Sequence, residues 1–201
     1  MKILAVSDVE LPQLLNAEYL ERKYADIDFL ISCGDMGADY LEFISSVLIK
    51  PLYYVRGNHD TRYVPPQPGG IDLHRRILTY KGVSMAGLEG SINYNYGAVQ
   101  YTQGYMAWIV QRMLPGLMLR RLRYGWGVDL MVTHSPPKGI HDLPHDHAHR
   151  GFWSFLWLMR LARPRYLLHG HVDTWDRRKV RETKYGDTTV LNINPYMLLE
   201  L

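Results

Sequence analysis

Five apolar runs along the chain each end in side chains that can bind a metal ion or move a proton. Runs without polar alternation are typical of strands buried on both faces of a parallel sheet. In open α/β sheets, ligands bind outside the carboxyl ends of the strands, so we expect the five strand ends to converge on one site. The strand ends are Ser7-Asp8, Gly34-Asp35, Gly57-Asn58-His59-Asp60, Thr133-His134 and Gly170-His171-Val172-Asp173.

Helical patterns separate the first three of these runs. From Leu14 to Tyr24, apolar residues recur at the spacing of one helix face, with charged residues between them. Asp39 can cap a second helix that runs to about Ile49, and Pro51 stops it. This β-α-β-α-β opening predicts a parallel sheet with right-handed crossovers.

The second half predicts short strands and loops from residue 71 to 103, followed by a helix. That helix begins near Gly104, and Pro115-Gly116 should kink or break it before it resumes toward Tyr124. Its polar face is basic, which favours a solvated face, with a surface for an anionic partner as the alternative. The apolar segment 152–159 predicts a buried helix, and a hairpin turning at 185–188 leads to the last strand.

Composition indicates one globular domain over residues 1–201. The chain is 47% hydrophobic and 21% charged, and its net charge of +3 does not indicate a nucleic-acid partner. The only cysteine, Cys33, excludes an internal disulfide and favours the reducing cytoplasm. The apolar start is too short for a signal peptide, and no run approaches the roughly 18 residues of a membrane span. We therefore expect a cytoplasmic protein without a membrane span.

The strand ends together offer the ligands of a divalent-metal site. Carboxylate, amide and imidazole groups suit ions such as Mn²⁺, Fe²⁺ and Zn²⁺. Two ions sharing Asp35 would activate a water to hydroxide for in-line attack at phosphorus. His59 is the expected general acid, and Asp60 is expected to orient its imidazole. The expected ligands on this reasoning are Asp8, Asp35, Asn58, His134 and His171.

In this order, the motifs resemble those of the calcineurin-like metallophosphoesterases, whose signature runs D-x-H, G-D, G-N-H-[DE], H and G-H-x-H. The resemblance covers the chain nearly end to end. Four segments are also similar to the small single-domain bacterial phosphohydrolases of that superfamily, namely Ala86-Gly87-Leu88, Tyr94-Asn95, Thr133-His134-Ser135-Pro136-Pro137 and His169-Gly170-His171. The resemblance implies an α/β fold, a four-layer sandwich of two mixed β-sheets flanked by helices. It also implies a metal-dependent phosphatase or phosphodiesterase acting on a small phosphomonoester or phosphodiester.

The resemblance assigns the second metal to Asp35, Asn58, His134 and His171, and the general acid to His59. It assigns the first metal to Asp8, Asp35 and two histidines. Here the chain departs from the family, because Glu10 and Asp173 stand where the histidines would be.

We expect Glu10 and Asp173 to act as carboxylate ligands in an oxygen-rich first site, which favours harder ions. Two divalent ions are expected. Mn²⁺ is the expected metal, with Fe, Mg²⁺ or Zn²⁺ as alternatives, and a weak or empty first site is the alternative to a filled one. Extra carboxylates weaken phosphate binding unless an arginine compensates, and the candidates are Arg75, Arg76 and Arg177.

Two other functions remain open at this point. The first is a binding or scaffold module on the same fold, because Glu10 and Asp173 replace catalytic-site histidines. The second is a nuclease, which ranks last because the arginines form no evident stripe and no DNA-binding domain is appended. The substrate and the oligomeric state are not encoded in a readable motif. Pocket residues are expected in the loops 69–101 and 136–150, where the candidates are His74, Tyr94, Asn95 and His149.

Overall fold

The computed structural model describes residues 1–60, 68–174 and 180–201. The helices are α1 (Ala17–Tyr24), α2 (Ala38–Leu48), α3 (Gln103–Tyr124) and α4 (Trp153–Ala162), preceded by a 3₁₀ turn at Pro12–Leu15. The strands are β1 (Lys2–Val6), β2 (Phe29–Ser32), β3 (Leu52–Tyr54), β4 (Ile71–Asp72), β5 (Ile77–Tyr80), β6 (Val83–Leu88), β7 (Ser91–Ile92), β8 (Gln100–Tyr101), β9 (Leu130–Thr133), β10 (Tyr166–His169), β11 (Glu182–Tyr185), β12 (Thr188–Asn192) and β13 (Tyr196–Glu200).

The strands form two large mixed sheets and one short pair. The first sheet has the order β13-β1-β2-β3-β4 and is parallel except at β13. The second has the order β11-β12-β10-β9-β6-β5, with a parallel centre and antiparallel strands at both edges. The β-α-β-α-β opening predicted from the sequence is the parallel core of the first sheet.

Alternate residues of each strand face different layers, as the period of two in a strand requires. In β1, Ile3 and Ala5 face the second sheet, whereas Leu4 and Val6 pack against α1 and α2. A third core lies between the second sheet and the helices α3 and α4. The layer order is therefore helices, sheet, sheet, helices, and the expected four-layer α/β sandwich is confirmed.

Helix α3 differs from its prediction, because it is continuous from Gln103 to Tyr124 and is not broken at Pro115. Proline leaves the carbonyl four residues earlier, that of Gln111, without its helical donor. Both residues are exposed, so water can satisfy that carbonyl. Thr102 caps the start of the helix, where its side chain accepts from the Tyr105 N–H, and Gly125 caps the end.

Helix α4 confirms the prediction of a packed apolar helix at 152–159. Phe155, Leu158 and Met159 are buried against the second sheet, whereas Trp157 and Leu161 are exposed. Within the described ranges, no helix is long and apolar enough to cross a membrane.

Two leucines of α4, Leu158 and Leu161, make a matched test of the third core. We expect Leu158→Ala to lower the free energy of unfolding by about 2–5 kcal/mol, because it leaves a cavity under the second sheet. Leu161→Ala should cost less than about 1 kcal/mol, because that side chain is 41% exposed. Urea unfolding followed by circular dichroism measures both. Equal losses in the two variants would contradict this layer assignment.

Candidate metal centre

Three residues at strand ends adopt left-handed backbone angles, which residues other than glycine rarely adopt. They are Asp8 after β1, Asp35 after β2 and His171 after β10, with φ of 65°, 55° and 67°. Such conformations cost about 1–3 kcal/mol each and persist where the surroundings enforce them. These three positions lie at the edge where the sequence predicted a site.

Two glycines allow the strand-end loops to approach one another. A Cβ on Gly57 would collide with the Asp35 carboxylate, and a Cβ on Gly170 would collide with Ser7 and the Asp8 carboxylate. Both glycines belong to the motifs that the sequence singled out. Their role is to let a neighbouring carboxylate lie against the backbone.

The loops after β2 and β3 are joined by reciprocal hydrogen bonds. Asp60 Oδ2 accepts from the backbone N–H groups of Asp35 and Gly57, both at 2.7 Å. Asp35 Oδ1 in turn accepts from the backbone N–H of His59 at 2.7 Å. Asp60 was expected to orient the His59 imidazole, but its Oδ2 is committed to the backbone of these loops. Burial raises the pKa of Asp60 to about 6.

Asp35, His134 and His171 form the centre of the site. Each offers a ligand atom, and these atoms lie within 4.8 Å of one another. His134 Nε2 lies 3.3 Å from Asp35 Oδ2 and 3.0 Å from Asn58 Oδ1. The imidazole rings of His134 and His171 lie 4.7 Å apart between centroids. The structure thus brings together all four residues expected for the second metal.

The protonation states fit a group that binds a cation. Burial opposes the ionisation of both Asp35 and His134, but each favours the charged form of the other. The pKa of Asp35 is therefore lowered, and that of His134 is raised to about 9. The raised pKa favours the imidazolium form of His134, in which Nδ1–H donates to the Cys33 carbonyl at 2.8 Å and Nε2–H points toward Asn58 and Asp35. A divalent cation would take the place of the Nε2 proton.

His171 is held in the neutral form, with a pKa lowered to about 3 chiefly by burial. Its Nε2–H donates to the Ala148 carbonyl at 2.8 Å, which leaves the Nδ1 lone pair available as a ligand. Two imidazole nitrogens, the Asp35 carboxylate and the Asn58 amide oxygen are the donor types that Mn²⁺, Fe²⁺ and Zn²⁺ accept. The residues present therefore fit a divalent metal.

Asp8 lies beside this centre, and its side chain is hydrogen-bonded to the backbone of His171. Both of its carboxylate oxygens accept from the His171 N–H, at 3.0 and 2.9 Å. Burial raises the pKa of Asp8. Asp8 was expected as a first-site ligand, and the structure places it next to His171, outside the three-residue group of Asp35, His134 and His171.

Glu10 and Asp173, the expected carboxylate ligands of the first site, each accept a hydrogen bond from another part of the chain. Glu10 is exposed, and its Oε1 accepts from the N–H of Gly37, the residue that precedes α2, at 2.9 Å. A carboxylate is favourable there because the N-terminus of a helix carries unpaired N–H groups and a partial positive charge. Asp173 Oδ1 accepts from Asn194 at 3.3 Å. Within the described residues, neither joins the metal-ligand group.

The arginines proposed to offset the extra carboxylates do not supply a clear partner. Arg75 lies over the ring of Trp108, with 5.7 Å from its guanidinium carbon to the ring centroid. Arg76 is exposed, and Arg177 lies outside the described residues. Arg56, which sequence analysis did not select, donates two hydrogen bonds to the buried Glu89, at 2.7 and 3.0 Å. Its charge is therefore neutralised.

Two cavities lie among the loops, and one of them is linked to the metal centre by a hydrogen bond. One of about 440 Å³ is lined by Tyr94, whose hydroxyl accepts from Asn58 Nδ2 at 3.2 Å. A second of about 480 Å³ shares Ile92, Gln103 and His147 with it. Lys138 and Arg150 line this second cavity. Sequence analysis did not select either cation. Their position in the loop that follows β9 could have indicated them as pocket residues.

His149, a candidate pocket residue, lies against the metal centre. Its ring is 4.8 Å from that of His171, and its Nδ1 lies 2.7 Å from Asp146 Oδ2. No sequence pattern indicated the Asp146 partner. A second pair was also missed, in which His141 Nδ1 and His169 Nε2 lie 2.9 Å apart at the end of β10.

Comparisons with known proteins agree with this geometry. The calcineurin-like phosphoesterase family matches over residues 1–175. One solved crystal structure aligns with a TM-score of 0.64 at 16% identity, over 98% of this chain and 94% of that one. Protein TT1561 of Thermus thermophilus aligns with a TM-score of 0.59 at 17% identity, over 96% and 88%. At these identities the two structures show the fold alone.

No curated protein matches the sequence. The family match spans most of the chain and includes every strand end that contributes to the metal centre. The chain therefore belongs to the calcineurin-like phosphoesterase family, and it is a hydrolase acting on phosphoesters.

Proposed function

We propose that the protein hydrolyses a small phosphomonoester or phosphodiester with the help of divalent metal, and that His59 is its general acid. The observation that supports this most directly is the convergence of Asp35, His134 and His171 within 4.8 Å. The cavities of about 440 and 480 Å³, the first of which is linked to Asn58 through Tyr94, suit a small ligand.

The division of labour follows from the contacts. Asp35, Asn58, His134 and His171 hold the ion, which when bound polarises the phosphoryl oxygen and makes water a stronger nucleophile. His59 is exposed, and its N–H bond to Asp35 fixes its backbone at the rim of the centre. There its imidazole protonates the departing oxygen. Lys138 and Arg150 attract the anionic ester into the cavity.

For the metal, we propose Mn²⁺ at the site of Asp35, Asn58, His134 and His171, with Fe²⁺, Mg²⁺ or Zn²⁺ as competing ions. A second ion would share Asp35 with Asp8. That site is the weaker one, because Glu10 is bonded to Gly37 and Asp173 to Asn194. These two bonds are also the observation that favours the alternative function, a catalytically weak binding module on the same fold.

Replacing His59 separates an enzyme from a binding module. We expect His59→Asn to lower kcat for an aryl phosphoester about 10²–10⁴-fold, since it removes the proton donor. The Mn²⁺ content per chain, measured by elemental analysis, should not change. His145→Asn, a change at another exposed histidine in the pocket loop, is the matched control and should retain full turnover. Turnover that His59→Asn leaves unchanged would exclude His59 as the general acid, whereas the absence of turnover in both proteins would favour the binding module.

The charge state of His134 predicts a pH-dependent metal affinity. Its pKa is raised to about 9, so at neutral pH the ion must displace a proton to bind. Affinity for Mn²⁺ should therefore increase about tenfold per pH unit between roughly pH 6.5 and 7.5. Isothermal titration calorimetry in buffers of different ionisation enthalpy also counts the released proton. An affinity that is constant over this range would contradict His134 as a ligand.

Replacing Glu10 tests whether its carboxylate accepts the Gly37 hydrogen bond or binds metal. We expect Glu10→Ala to cost about 0.5–2 kcal/mol in unfolding free energy, because the Gly37 N–H loses its acceptor. The affinity of the strong Mn²⁺ site should stay within about twofold, whereas Asp35→Asn should abolish it. A large loss of metal in Glu10→Ala would instead make Glu10 a ligand.

A further inference from the structure

The outward face of α3 is largely apolar along its whole length. Tyr105, Trp108, Arg112, Pro115, Leu119 and Leu122 follow one another at spacings of three and four residues, which places them on one side of a helix. All six are exposed, with Leu119 at 69% and Leu122 at 85%. The opposite side, which includes Met106, Val110 and Leu117, is buried in the third core. Helix α3 thus has two apolar faces, of which the fold covers one.

The residues around this stripe are basic. Neither α3 nor α4 contains an aspartate or glutamate, and both helices carry arginine in their last turn. The guanidinium carbon of Arg112 lies 4.8 Å from the Trp108 ring centroid, and Arg121 donates to the Leu161 carbonyl. In the part of the chain that the structure describes, Arg112, Arg121 and Arg123 have no carboxylate partner. The next helix contributes a further exposed leucine, Leu161.

We propose that this outward face of α3, defined by Trp108, Arg112, Leu119, Leu122 and Arg123, docks on an anionic lipid bilayer. Leucine and tryptophan side chains enter the boundary between headgroups and acyl chains. The arginines extend their charged ends to the lipid phosphates while their stems cover apolar surface. The helix lies in the plane of the surface, and each arginine near an anionic bilayer contributes to attraction.

Charge favours a bilayer over a second copy of the chain. A two-fold interface brings the same patch of both copies together, so arginines of one α3 would face arginines of the other. Neither helix offers a carboxylate to neutralise them. An anionic bilayer presents the opposite charge over a wide area and an apolar layer beneath it, so it satisfies both parts of the face.

Vesicle co-sedimentation with leucine variants tests the apolar part. The full chain should bind vesicles of phosphatidylglycerol mixed with phosphatidylcholine, and Leu122→Glu should weaken that binding at least about tenfold. Ile49→Glu is the matched control, because Ile49 is 88% exposed at the end of α2, in the opposite helix layer. It should bind as the unmodified chain does. Unchanged turnover of a water-soluble aryl phosphoester will show that both variants are folded.

The charged part is tested with the same assay. Arg123→Gln should weaken binding about fivefold, as expected for one arginine near an anionic surface, and added salt should weaken binding by the unmodified chain. Lys50→Gln, in the opposite layer, should have no effect. The proposal is overturned if the chain does not bind anionic vesicles, if Ile49→Glu binds as weakly as Leu122→Glu, or if light scattering shows a dimer that Leu122→Glu separates.

Discussion

The metal centre depends on the hydrogen bonds and the ion pair of Asp35. Its Oδ1 accepts from the N–H of His59, and its Oδ2 pairs with His134. The backbone N–H of Asp35 donates to Asp60. Asp35, a single residue in the loop after β2, therefore fixes the loops that follow β3 and β9. These loops come from different sheets, so the same carboxylate also aligns the two sheets at the edge where the site forms. Removing it would leave the protonated His134 buried without its counter-charge.

This dependence explains why the strand ends are strained. An electron-rich centre needs several carboxylates and imidazoles within a few ångströms, and Asp8, Asp35 and His171 reach it only by turning through the left-handed region. The cost is offset because each turn also creates a hydrogen bond, such as that of the His171 N–H to Asp8. The site is thus organised before metal arrives, and binding mainly replaces the His134 proton.

The sequence was sufficient for the opening strands, the four layers and the four residues that meet at the proposed strong metal site. Buried strands and strand-end motifs are local patterns, and the carboxyl-end rule then brings them together. It did not predict the hydrogen-bond donors of Glu10 and Asp173, because a motif position indicates where the backbone runs and not which donor the side chain contacts. For Glu10 that donor is the Gly37 N–H. The backbone bonds of Asp60 were missed for the same reason, since one of its partners comes from a distant strand end.

Helix α3 shows a different limit of sequence analysis. Its arginines suggested a solvated basic face, and the proline suggested a break. Both predictions follow from the properties of individual residues and not from the helix as a whole. The continuous helix reveals a second apolar stripe that ends at Leu119 and Leu122. Exposed leucines add little to folding, since their surface stays in water in the folded chain. Burying this leucine surface against a bilayer would instead contribute to the free energy of binding. The face can therefore be altered without disturbing either the third core or the metal centre, which makes docking and hydrolysis separable properties of this chain.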